Sequence, residues 1–337
     1  MSYLKLMTIV ACLMTPAIGE AAVQSSARIV SVKKIWDRAP HCAFTDLRYW
    51  KGQFVCAFRE GRSHVSADGK IRVLSSTNGV NWSPIALIAK DGFDLRDAGL
   101  SVAPDGRLML NGGAAPRKKD NQIAPTGTFV AFSEDGATWT KPQMVAEPGR
   151  WMWRVRWRNG KAYGISYSST RPKNGKPFTA LEVSNEGVQF HDLTAKLLDD
   201  GEPTEAALRF ADDGRLYCLQ RRDAPSPQNT AYFGVSRPPY TMWQWHDLGM
   251  PVGGPNFINL PDGRWFACGR FTHGGKPATE LAALDVEKNT IKPILTLPSG
   301  GDTSYPGLVW HGGMLWVSYY SSHEGKANIY LAEVRID

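Results

Sequence analysis

Residues 133–139 read "SEDGATW": a serine, two acids, a glycine, two small residues and then a tryptophan. Small polar side chains close tight turns by accepting hydrogen bonds from nearby backbone N–H groups, and glycine adopts positive φ without strain. The aromatic is then free to pack back beneath the turn. The pattern recurs as "SSTNGVNW" (75–82) and "SNEGVQF" (184–190), and in degenerate form as "SRPPYTMWQW" (236–245). Recurrence on this scale is the mark of a repeat architecture.

A second kind of turn sets the period. Strand-like apolar runs follow Lys51-Gly52, Asp105-Gly106, Asn159-Gly160, Asp213-Gly214, Asp262-Gly263 and Gly312-Gly313, dipeptides suited to tight hairpins. The steps between these glycines are 54, 54, 54, 49 and 50 residues. Six units with two hairpins each and almost no amphipathic helical periodicity predict an all-β, six-bladed β-propeller. The sixth unit is short of strands before the C-terminal "NIYLAEVRI". The N-terminal run "ARIVSVKKIW" (27–36) is expected to complete its sheet and close the ring.

Ahead of that run, residues 1–21 combine Lys5, an apolar stretch from Leu6 to Met14 and small residues at Ala17, Gly19 and Ala21. That is the layout of a signal peptide, so a secreted or periplasmic protein is expected, with residues 22–337 forming a single propeller domain. No later segment is apolar for the ~18 residues a membrane helix requires. Cys12 falls in the leader; Cys42, Cys56, Cys218 and Cys268 are spaced too widely for a zinc site or a disulfide scaffold, and the last three read as buried free thiols. The chain holds 39 Lys and Arg against 32 Asp and Glu, a formal net charge of +7. Its basic residues are not clustered as a nucleic-acid surface demands, and the balance suits an acidic glycan. There is no HExxH, P-loop or GxGxxG in a suitable context, so no metal or cofactor is expected.

Seven residues beyond the hairpin glycines stand Arg59, Arg221 and Arg270; the other units carry Gly113, Tyr167 and Tyr320 there. Equivalent positions of a propeller lie at one depth and radius. The three arginines are therefore expected to converge near the axis and grip an anion through their guanidinium forks.

The turn motif resembles the Asp-box of sialidases and other BNR-repeat proteins. The stretches "FVCAFREGRSHVSADGKIRVL" (54–74), "EAALRFADDGRLYCLQRR" (205–222), "GGPNFINLPDGRWFACGR" (253–270) and "GDTSYPGLVWHGGMLWVSYYSSHEGK" (301–326) look like successive blades of the bacterial sialidase superfamily, over essentially the whole chain after the leader. The resemblance implies that Arg221 and Arg270 hold a substrate carboxylate, that Glu205 is the base, and that Tyr305 is the nucleophile. Asp68, following "FREGRSHVS", matches the general acid, although "SADGK" is also a good tight turn. Where that family opens its first blade with Arg-Ile-Pro, this chain has "APHCAFTDL" (39–47), with His41 near the arginine's place. Arg96 and Asp97 in "DGFDLRDAGL" and Arg154 in "RWMWRVRW" read as further sugar contacts or as ordinary turn and stacking residues.

A retaining exo-glycosidase of sialidase type follows, releasing a terminal acidic sugar. Two other readings stand beside it. In a polysaccharide lyase acting on uronates, His41 or His64 would share acid and base duties with Tyr305. A glycan-binding propeller would use the same site without turnover.

Overall fold

The computed structural model describes residues 25–117, 126–168 and 175–337. The leader expected at 1–21, Cys12 included, lies outside the described residues. Strand β1 (Ala27–Trp36) is followed by blade one: β2 (His41–Trp50), β3 (Gln53–Gly61), β4 (Lys70–Ser76) and β5 (Ser83–Ile88). Blade two is β6 (Phe93–Val102), β7 (Leu108–Pro116), β8 (Gly127–Ser133) and β9 (Gln143–Val145). Blade three is β10 (Arg150–Arg158), β11 (Lys161–Ser168), β12 (Thr179–Ser184) and β13 (His191–Leu198). Blade four is β14 (Pro203–Phe210), β15 (Leu216–Arg222), β16 (Tyr232–Ser236) and β17 (Trp243–Asp247). Blade five is β18 (Gly253–Asn259), β19 (Trp265–His273), β20 (Lys276–Asp285) and β21 (Thr290–Thr296). Blade six is β22 (Thr303–His311), β23 (Met314–Ser321) and β24 (Asn328–Ile336), with β1 added at its outer edge. The protein is a six-bladed β-propeller, and its ring closes through the antiparallel β1–β24 pair as expected.

Each blade is an antiparallel sheet whose first strand contacts the first strands of its neighbours around the axis. The hairpin glycines Gly52, Gly106, Gly160, Gly214, Gly263 and Gly313 all sit at φ between +74° and +85° in the turn joining first to second strand. The serine-containing turns join third to fourth strands. In blade two, Gly136 N–H donates to Ser133 Oγ at 2.8 Å, Ala137 and Thr138 N–H donate to Asp135 Oδ1, and the Trp139 indole donates back to Gly136 O. Blade one repeats these bonds with Ser76, Asn78 and Trp82.

Six apolar clusters fill the six gaps between neighbouring blades. Sheets packed face to face bury both surfaces of their inner strands, which is why those strands read as runs of small and apolar residues and only the fourth strands are substantially exposed. Cys42, Cys56, Cys218 and Cys268 are free and buried in this packing, inert thiols whose pKa burial pushes up. No helix among the described residues is long and apolar enough to cross a membrane.

Candidate active site at the mouth of the channel

All six first strands break register at the same height. Pairing with the second strand skips from Ala43 to Asp46, Arg96 to Gly99, Met152 to Val155, Pro203 to Ala206, Gly253 to Asn256 and Ser304 to Gly307. Each break is a bulge in which two inner residues oppose one, and bulges re-aim side chains. The leading bulge residues are Phe44, Asp97, Trp153, Thr204, Gly254 and Tyr305, one per blade. Phe44, Asp97, Gly254 and Tyr305 have φ of 63°, 56°, 57° and 57°. For the three that are not glycine, such a backbone costs on the order of 1–3 kcal/mol each, a strain that clusters at functional sites.

Tyr305 is aimed into the mouth by its bulge. Its ring packs on Phe44 and Trp153, with centroids 4.8 and 4.9 Å away. Its hydroxyl donates to Glu205 Oε1 across the axis. The other Glu205 oxygen accepts from Arg221 Nη1 at 2.8 Å and from Gly254 N–H at 3.0 Å. A Cβ on Gly254 would stand 2.7 Å from the Tyr305 ring, so only glycine allows this approach. Burial works to raise the Glu205 pKa, but the Arg221 charge and the hydrogen bonds from Tyr305 and Arg221 outweigh it, so the carboxyl is held below its usual range and stays ionised. Burial, reinforced by the Glu205 and Asp97 charges, pushes the Tyr305 phenol well up, so it keeps its proton at rest.

Asp97, on the blade-two bulge, lines the same central cleft as Phe44, Trp153 and Tyr305. Burial, with Glu205 adding to it against Arg96, raises its pKa from 3.8 to about 6. The site thus holds an ionised carboxylate beside a phenol, and a second carboxyl poised to donate a proton near neutrality. The folded-state pKa of Asp97 is raised, so its contribution to stability is complete below pH 3.8 and is lost as pH rises through about 6. Asp97→Asn removes that titration. Relative to wild type it is expected to gain roughly 2–3 kcal/mol between pH 4 and pH 8, measured by urea unfolding at the two values.

Arg221 and Arg270 do come together. They share the lining of a cavity of about 220 Å³ with Asp223, Asn229 and Gly253, and Arg270 Nη1 reaches Thr303 O at 3.3 Å. Arg96 lies over the Phe44 ring, 5.0 Å from its centroid.

Arg59 does not join this pair, although it occupies the equivalent strand position. It is fully buried, with Nε on Asp94 Oδ1 at 2.7 Å, Nη1 on Ser63 O and Nη2 on Ser66 Oγ. Asp94 comes from the neighbouring blade, and it turns Arg59 into an internal tie. Arg154 takes the stacking alternative, its guanidinium 5.4 Å from the Trp153 ring centroid. It lies in the floor of the mouth, where Nη1 meets Asp46 Oδ1 at 2.8 Å and Nη2 donates to Pro306 O and Thr45 O. Asp68 sits on the 62–69 loop, partly exposed and paired with Arg62 at 3.4 Å; the Ser66 and Arg62 contacts overcome slight burial and lower its pKa, which opposes acid catalysis.

His41 and His64 meet at a residue that sequence reasoning passed over. His41 Nε2 and His64 Nδ1 lie 3.2 and 2.7 Å from Asp302 Oδ2, and the Tyr320 hydroxyl donates to Asp302 Oδ1 at 2.7 Å. Burial tends to raise the Asp302 pKa, but these donors hold it far below the carboxylate range. His64 packs edge-on against Phe44, which places the cluster beside Tyr305. Among the described residues, His41, His64 and Asp302 are the one group whose metal-type donor atoms lie within 4.8 Å of each other, but here they satisfy one another directly. Phe44, Trp153 and Gly254 were also missed, and only the paired glycines of "GGP" hinted at a special backbone.

No family model and no curated protein sequence matches the chain. Solved structures do match its fold. A protein of unknown function from Dyadobacter fermentans is 21% identical with a TM-score of 0.79, the match covering 93% of this chain and 100% of that one. A Hadza microbial sialidase is 17% identical with a TM-score of 0.72, covering 90% of this chain and 68% of that one. The alpha-L-arabinanase of Penicillium chrysogenum, complexed with arabinobiose, is 15% identical with a TM-score of 0.71, covering 91% and 98%. At these identities the likeness is one of fold.

Proposed function

We propose that the protein is an exported retaining glycosidase of sialidase type that releases a terminal acidic sugar. The observation that carries this reading is the Tyr305 hydroxyl donating into a Glu205 carboxylate that Arg221 keeps ionised. As the phenol oxygen bonds to the anomeric carbon, Glu205 takes its proton, and Asp97 protonates the departing oxygen. Water then displaces the phenol oxygen, giving a proton to Asp97, while Glu205 returns the first proton to Tyr305. Asp97 takes the acid role here rather than Asp68 because it is buried beside the nucleophile with a raised pKa. Arg221 and Arg270, with Arg96 on the far wall, suit a substrate carboxylate, and a neutral phenol avoids the repulsion that a carboxylate nucleophile would meet. The fold shared with a sialidase and an arabinanase supports sugar chemistry at this mouth.

The test is trapping with a fluorinated, slowly turned-over acidic glycoside, followed by peptide mass analysis. A label on the Tyr305 peptide is expected. Unlabelled enzyme that releases an unsaturated, ultraviolet-absorbing uronate would sink the hydrolase reading. That outcome belongs to a uronate lyase, the second reading, which the His41–Asp302–His64 cluster favours. In that reaction His64, half exposed and held by Asp302, takes the proton α to the carboxylate. The electron pair becomes the new double bond, and the leaving oxygen takes its proton from Tyr305.

A further inference from the structure

The first strands run from the mouth to the hairpin turns, so residues late in them line the channel on the side away from Tyr305. Arg48 of β2, Arg156 of β10 and Arg209 of β14 all lie there, with Arg154 just above them. Among the described residues, Asp46 is the acidic group that acts on Arg48, Arg209 and Arg156. Four guanidiniums therefore face one carboxylate. Arg154 and Arg156 are at least nine-tenths buried, as is Asp46.

Their donors are only partly used. Arg48 Nη1 and Arg156 Nη1 fold back on the carbonyls of Leu47 and Val155, and Arg209 Nε donates to Phe257 O at 2.6 Å. Arg156 Nε and Nη2 and Arg209 Nη2 are buried without a hydrogen-bond partner among the described residues. A guanidinium keeps its proton inside a protein, and an unpaired buried charge is strongly destabilising. Burial first, and the neighbouring cations after it, push Arg209 down to about 9 and Arg156 well down against the pull of Asp46.

We propose that the axial channel binds a small inorganic anion, from chloride to phosphate in size, between Arg48, Arg156 and Arg209. The Arg48 side chain is not fully buried, and the fork geometry of the unused N–H groups supplies the hydrogen bonds of the anion. The anion completes a charge cluster that Asp46 alone cannot balance, and it stabilises the native state in proportion to its occupancy. This site is independent of the chemistry at the mouth.

The experiment is thermal unfolding of the dialysed full chain against phosphate and chloride at constant ionic strength, using wild type, an Arg156→Met/Arg209→Met double variant and Arg270→Met. A saturable rise in Tm is expected for wild type and Arg270→Met, with at least a tenfold weaker midpoint in the double variant. Equal responses in all three would reduce the effect to bulk salt and overturn the proposal. A response lost only in Arg270→Met would assign the anion to the mouth and overturn it too. Should the double variant not fold, wild-type crystals grown in bromide decide the matter. An anomalous peak between the three guanidiniums is expected there, and its absence overturns the site.

Discussion

Tyr305→Phe is expected to fold like the wild-type protein and to lose on the order of a thousandfold or more in kcat on an acidic glycoside. The substitution keeps the ring that packs on Phe44 and Trp153 and leaves the backbone at φ 57° unchanged. Glu205 loses one of its donors but retains Arg221 Nη1 and Gly254 N–H, so no buried carboxylate is stranded. What disappears is the oxygen that, in the proposed mechanism, forms the bond to the sugar. Thermal unfolding read beside steady-state kinetics separates the two effects. A variant retaining half its activity would make Tyr305 a packing residue.

Asp46→Asn is expected to cost about 3–5 kcal/mol at pH 7, the loss typical of breaking a buried charge pair from one side. Asp46 accepts from Leu47 N–H at 2.9 Å and, across the blade boundary, from Leu100 N–H at 2.8 Å, while pairing with Arg154 of blade three. It thus ties three blades at the axis, and asparagine removes the carboxylate that pairs with Arg154 and Arg48 among the described residues. Burial tends to raise the Asp46 pKa, but Arg154, Arg48 and Arg156 bring it down from 3.8 to about 2. The stabilisation is therefore present above pH 3.8 and fades as pH falls toward 2. Urea unfolding across that window should show the difference between wild type and variant shrinking. A constant difference would mean that Asp46 is not held by its arginines.

The sequence displayed the fold because the fold is announced locally. A turn glycine at positive φ, a serine oxygen beneath it and a tryptophan folded back all lie within seven residues, as at Ser133 to Trp139. Glu205 and Tyr305 were legible only because they matched a known arrangement, whereas Arg221 and Arg270 were also legible from their offset beyond the hairpin glycines. Bulges are a property of pairing between strands, and three of the four strained positions are not glycine, so nothing in "PHCAFTDL" or "FDLRDAGL" marked them. Arg59, Arg221 and Arg270 are indistinguishable by offset. Asp94 from the next blade captures the first, while Glu205 and the mouth receive the other two. Asp97 needed the burial and the Glu205 charge before its carboxyl could be read as an acid rather than a turn residue.

The closing pair of strands also sets how the molecule would respond to force. Ala27 pairs with Ile336 and Trp36 with Ile329, so a pull between residues 27 and 336 acts at one end of the ladder, across the strands rather than along them. Hydrogen bonds loaded in that geometry give way one after another, like a zip, where a shearing load would have to break them together. The tear runs from the hairpin face toward the mouth and strips the outer strand from blade six. Tension would therefore disturb the sheet that carries Tyr305 before it reached the other five.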